Sequence, residues 1–124
     1  MTTGVTAAIV NNWLDTDFAT ATSFIKLHIG DPGAAGATSP AVGDATRKQA
    51  TLGAAAAGVK SMTSMASVWT NVTTTETLSH ISWWTAAAAG TFKASAALTA
   101  TQPWVNTNTF TLTVLTIAIA PLAA

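Results

Sequence analysis

Phe24-Ile25-Lys26-Leu27-His28-Ile29-Gly30-Asp31-Pro32-Gly33 is the stretch whose reading decides the fold. Its first six residues alternate, with Ile25, Leu27 and Ile29 on one side and Lys26 and His28 on the other. That two-residue period predicts a strand with one buried face and one polar face. Gly30-Asp31-Pro32-Gly33 then halts the strand, because proline presets its own φ and glycine accepts a positive one.

Working outward, the same pattern of short strands and turns recurs. Residues 34–45 are rich in Gly, Ala, Ser and Pro and predict an exposed loop. Residues 46–52 read as a strand or extended arm, and 53–58, four alanines between glycines, as a linker too short for a helix. Ser67-Val68-Trp69-Thr70-Asn71-Val72 is strand-like. Residues 78–85 supply another strand, with Ser79, Ile81 and Trp83 on one face and His80, Ser82 and Trp84 on the other. Residues 86–90 turn the chain, and 91–98 return with Phe92 among small residues. Phe110, Leu112 and Val114 alternate until the apolar phase moves to Leu115, Ile117 and Ile119, a one-residue slip that predicts a β-bulge. Pro121 ends that strand.

Upstream, Val5, Ile9 and Trp13 recur every fourth residue beside Ala8 and Asn12. They predict a helix over residues 3–14, within an N-terminal helix or arm of residues 1–20. Such a helix caps the sheet or docks on a neighbouring subunit. Six to eight short strands rich in β-branched residues give the fold class: mostly β, a small antiparallel β-sandwich or barrel with a short N-terminal helix. At 124 residues the chain predicts a single domain over 1–124, with no repeat of solenoid length.

Composition narrows the function. Five basic and five acidic residues leave a formal net charge of zero, and Ala with Thr make up about two residues in five. A lone monomer with such a surface has little electrostatic protection against association. The chain therefore reads as an assembly subunit, a homo-oligomer in the assembled particle. The balanced charge argues against a nucleic-acid partner, which needs a basic stripe. The longest apolar stretch, 114–124, is short and interrupted by Thr116 and Pro121, so no membrane span is expected. No basic segment followed by an apolar one opens the chain, so no secretory signal is expected either. There is no cysteine to form a disulfide framework or thiolate site.

Catalytic stock is poor. His28, His80 and Asp31 could hold a metal if adjacent strands met, but two separate surface histidines are the expected arrangement. Asp15-Thr16-Asp17 has D-x-D spacing and reads as a polar turn. Asn71-Val72-Thr73 is a formal glycosylation sequon without a secretory context. No nucleophile elbow or phosphate loop is present, so no enzyme, metal or cofactor is expected. The tryptophans lead elsewhere. Adjacent strand residues point to opposite faces, and the phase of Ile81 buries Trp83 and turns Trp84 outward. An outward tryptophan can anchor an interface, pack ordinarily, or stack on a sugar. Trp13, the basic pair Arg47-Lys48, Trp84 and Trp104 are the candidate interface residues, with Trp84 or Trp104 as the alternative carbohydrate platform.

Ile25-Lys26-Leu27-His28-Ile29-Gly30-Asp31-Pro32-Gly33-Ala34-Ala35-Gly36, followed by Gly43-Asp44-Ala45-Thr46-Arg47-Lys48-Gln49-Ala50-Thr51, resembles a family of small virion proteins of tailed bacteriophages. Later stretches fit it too: Trp69-Thr70-Asn71-Val72, Thr75-Glu76-Thr77-Leu78-Ser79-His80, and Trp84-Thr85-Ala86 leading to Gly90-Thr91-Phe92. The resemblance implies a non-enzymatic structural protein made in the bacterial host cytoplasm and carried on the virion, with an actinobacterial host. Its members are labelled head-decoration, minor tail or tail-fibre proteins. It implies as partners the major capsid protein or other virion proteins. Among these, the compact single domain favours decoration of the outer capsid surface, the alternative being a minor tail or fibre-associated protein.

Overall fold

A computed structural model describes residues 4–119. One helix, α1 (Ala7–Asp17), leads into a short 3-10 turn (Thr20–Thr22). Eight strands follow: β1 (Phe24–His28), β2 (Lys48–Leu52), β3 (Val59–Met65), β4 (Trp69–Thr70), β5 (Glu76–Trp84), β6 (Phe92–Trp104), β7 (Thr109–Phe110) and β8 (Thr116–Ala118). Six form one antiparallel sheet in the order β6-β5-β1-β2-β3-β8, which curls into a half-barrel. β4 and β7 make a separate ribbon, pairing Trp69 with Phe110. The mostly-β reading with an N-terminal helix holds.

The central register explains the core. β1 pairs with β5 so that Ile25 meets Trp83 and Leu27 meets Ile81. All four are buried and point to one side, as strand alternation requires. Trp69, Leu78, Trp104, Leu112 and Leu115 complete a continuous core with Ala41 and Ala50. Phe18, just past α1, meets Trp83 edge to face with centroids 4.8 Å apart.

Several expectations are corrected. The helix starts at Ala7, where Thr6 caps it by accepting from the Ile9 amide. Its buried stripe is Val10 and Leu14, whereas Ile9 and Trp13 are 48% and 45% exposed. The rotation follows from polar anchors on the other flank. Asn11 Oδ1 accepts from the Gly58 amide, and Asp15 Oδ1 from the Ala55 amide and the Lys60 ammonium. The sequence reading assigned no element to residues 59–65, where β3 lies; within it Lys60 is buried against Asp15 at 2.7 Å. Ladder pairing within 67–72 covers only Trp69 and Thr70. Ile29 lies beyond the end of β1 and is exposed.

The phase slip near the C-terminus is present, but not as a bulge within one strand. Leu112 and Leu115 are both buried, Val114 is 76% exposed, and 111–115 lie outside any ladder between β7 and β8. The predicted stop at Pro121 lies outside the described residues.

The expected exposed loop 34–45 is interrupted by buried positions at Gly36, Ala41 and Gly43, with Val42 exposed between the last two. Ala41 is buried and its amide donates to the Leu27 carbonyl. From there the chain forms a strap, residues 40–47, held by the later side chains of Trp69, Glu76 and Trp84 and by the Thr70 amide.

Candidate functional site

The strap is the polar centre of the molecule. Glu76 Oε1 accepts from the Val42 and Gly43 amides at 3.1 and 2.8 Å, and from Trp104 Nε1 at 3.1 Å. Asp44 accepts from Thr46 and from the Thr70 amide, and Trp69 Nε1 donates to the Thr46 carbonyl. Burial is the largest influence on the Asp44 carboxyl and pushes its pKa up, but these hydrogen bonds and Lys48 together bring it below the usual value. Gly43 leaves no room for a side chain, since a Cβ there would fall 2.5 Å from the Asn71 amide group.

Asn71 explains that closeness. It is fully buried, its Oδ1 accepts from the Thr73 and Thr74 amides, and its Nδ2 donates to the Thr74 carbonyl. The sequon asparagine is thus a structural hub with no free amide to glycosylate.

Arg47 ends the strap. Its guanidinium lies 3.8 Å over the Trp84 ring and donates to the carbonyls of Ala86 and Ala89 in the β5–β6 turn. This spends the cation on a stack and on two otherwise orphaned carbonyls. Trp84 also packs on Phe92 at 5.6 Å, and the Phe92 ring abuts Gly36, where a Cβ would lie 2.3 Å from it.

Beneath Trp84 runs a buried relay. Trp84 Nε1 donates to Ser82 Oγ at 2.7 Å, and Ser82 Oγ lies 2.7 Å from His28 Nε2. His28 Nδ1 is 2.9 Å from the Thr38 carbonyl, which can only accept. The neutral ring therefore carries its hydrogen on Nδ1, and Ser82 donates its hydroxyl hydrogen to Nε2. Burial holds the His28 pKa below the usual histidine value, against the Thr38 carbonyl, which favours the charged ring.

This serine and histidine touch, but both are fully buried and every polar atom of the pair is already engaged. A nucleophile needs a substrate within reach. The pair instead ties the Gly30-Asp31-Pro32-Gly33 turn region to the sheet.

The two histidines are not separate surface groups, a correction to the sequence reading. His28 and His80 are direct partners in the β1–β5 ladder, one buried and one half-buried. Among the described residues no three His, Asp, Glu or Cys side chains gather in a way that could hold a metal ion. Asp15 is engaged with Lys60, and the D-x-D pair lies in and at the end of α1 rather than in a turn.

Of the five candidate interface residues, the structure brings Arg47 and Trp84 together and scatters the rest. Lys48 lies 4.0 Å from Asp44. Trp104 is 1% exposed and bonded to Glu76, so it belongs to the core. Trp13 is the only one of the five with a broad open face. Ser82, Glu76 and Asn71, which organise the site, escaped the sequence reading. Ser82 and Glu76 are polar residues whose roles depend on His28 and on Gly43, more than thirty residues away, and Asn71 is set by its burial against Gly43.

The motifs that carried the resemblance thus converge in space: His28, Gly36, Arg47, Trp84 and Phe92 form one clamp, and Gly43, Asp44 and Glu76 another. No curated protein matches the chain. Residues 1–120 match the model of a protein family described as podophage GP4 fiber I protein gp80. The chain belongs to that family of phage fibre proteins.

Proposed function

We propose that this protein is a non-enzymatic structural subunit of a phage fibre, held on the virion through contacts with other virion proteins. The family match over residues 1–120 carries this reading. It favours the fibre-associated alternative over decoration of the capsid, and it points to fibre neighbours in place of the major capsid protein. The buried, fully engaged polar groups fit a scaffold whose chemistry goes into holding itself together. A carbohydrate platform has little support, because Trp104 is buried and one face of Trp84 is covered by Arg47. The test is immunogold labelling of intact particles with an antibody to this chain. Gold on fibres is expected; gold distributed over the heads overturns the proposal.

A further inference from the structure

Residues 94–124 contain no Asp, Glu, Lys, Arg or His. The described part of this stretch builds both edges of the half-barrel, β6 at one end of the sheet and β8 at the other. Between them lies an open seam. A groove of about 640 Å³ runs between Ala96, Leu98 and Gln102 on β6 and Leu112 and Val114 opposite. It adjoins a smaller cavity of about 120 Å³ lined by Trp83 and Ala94, and the two share Ile81, Ala96, Leu115 and Thr116.

Three observations mark the seam as unfinished. First, among the described residues β6 pairs only with β5, and even that ladder opens in the middle. The register steps from Ala97↔His80 to Gln102↔Leu78, so four β6 residues stand opposite Ser79 alone. Facing it, 111–115 make no ladder, although the Leu115 carbonyl accepts from Met62. Strand backbone left unpaired in this way is a template for another chain. Second, Trp83 Nε1 is buried with no hydrogen-bond partner among the described residues. It sits at the cavity wall, where native proteins normally supply an acceptor. Third, Val114 projects from the far wall at 76% exposure.

We infer that the seam is the surface through which copies of this chain join, with the free β6 edge of one copy docking on segment 111–115 of the next. This rests on the fibre reading and deepens it by naming the contact between subunits. The charge distribution selects a second copy. The lining offers no ionisable group to recognise a charged partner, and the strand that docks belongs to the same uncharged stretch. Two copies therefore meet without like-charge repulsion, and the whole chain has zero formal net charge. The usual edge defences are sparse: along β6 only Lys93 near its start and Pro103 near its end blunt the strand.

The absence of native cysteine makes the contact directly mappable. Thr99→Cys and Val114→Cys, both at exposed positions, are purified separately, mixed and oxidised; a cross-linked pair on a non-reducing gel is expected. A Trp13→Cys and Val114→Cys mixture serves as the comparison and should stay uncoupled. In sedimentation the wild type is expected to run larger than a monomer. Thr99→Lys should run as a monomer with an unchanged far-ultraviolet circular-dichroism spectrum, and at low concentration, where association contributes little, with an unchanged melt. The inference is overturned if the wild type stays monomeric at its solubility limit, if Thr99→Lys assembles normally, or if coupling runs through position 13. Immunogold separates the two proposals: labelled heads with an intact seam cross-link sink the fibre reading alone, and labelled fibres with a monomeric protein sink this inference alone.

Discussion

Ser82→Ala is the sharpest probe of the buried relay. Ser82 Oγ accepts from Trp84 Nε1 and donates to His28 Nε2, both at 2.7 Å, and the residue is fully buried. Alanine removes one oxygen and strands two groups, the indole donor and the imidazole lone pair. Leaving a buried polar group unpaired costs about 1–3 kcal/mol, and the indole of half-buried Trp84 lies at the low end, so the two together cost roughly 2–4 kcal/mol. For a chain of this size that corresponds to a fall in Tm of roughly 8–16 °C. Urea titration at low protein concentration, where association contributes little, reads the loss as a shift in midpoint at constant m. A double-mutant cycle isolates the mechanism. In a Trp84→Phe background the indole donor is already gone, so Ser82→Ala should cost roughly 1 kcal/mol less than in the wild type. A loss below about 1 kcal/mol in the single variant, or strict additivity in the cycle, refutes the relay.

Glu76→Gln keeps one acceptor oxygen but sets an NH₂ group near backbone donors, and should cost about 1–2 kcal/mol in a denaturant midpoint, with Trp104 fluorescence reporting a loosened ring. Gly36→Ala meets both a left-handed φ of 70° and the Phe92 ring, and should cost about 2–3 kcal/mol; pairing it with Phe92→Ala should recover the clash and leave only the backbone strain. Acid should act in two stages. Because burial depresses the His28 pKa, the unfolded chain takes up its proton first, so stability is full above the ordinary histidine pKa of about 6.5 and falls as pH drops below it. Asp15 is lowered chiefly by the Lys60 hydrogen bond and then by the Ala55 amide, so its contribution is full above about pH 3.9 and fades further down. Thermal melts across pH 7 to about pH 5 that stay flat would exclude a neutral buried His28.

Much of the fold was legible because strand alternation is local. Ile25 with Leu27, and Ile81 with Trp83, declared their buried face unaided, and the phase of Ile81 placed Trp83 in the core as the structure does. What was not legible depends on distant partners. Val5, Ile9 and Trp13 form a tidy apolar stripe, yet Asn11 and Asp15 turn the helix so that Val10 and Leu14 face inward. β3 hid because Lys60 reads as a solvent residue until Asp15 stands beside it. His28 sat on the polar phase of its strand and was expected outside, but the loop through Thr38 covers that face. Within the site, the sequence offered Arg47 and Trp84 separately as interface candidates, whereas the structure stacks the guanidinium on the indole inside the molecule. Trp104 was offered as an interface candidate, yet it ends a thirteen-residue strand with its ring turned into the core.

The strap has a consequence for how the chain comes together in time. It links β1 to β2, early in the sequence, yet its fastenings at Trp69, Thr70, Glu76 and Trp84 all emerge later. β1 itself waits for β5 before it has a neighbour on its second side. A ribosome that has released only the first half of the chain thus holds an incomplete sheet with one flank bare. Nucleation must bridge wide gaps in sequence, which slows folding and lengthens the interval in which nascent chains are exposed to one another. Synthesis that outpaces this closure favours aggregates over the native fold.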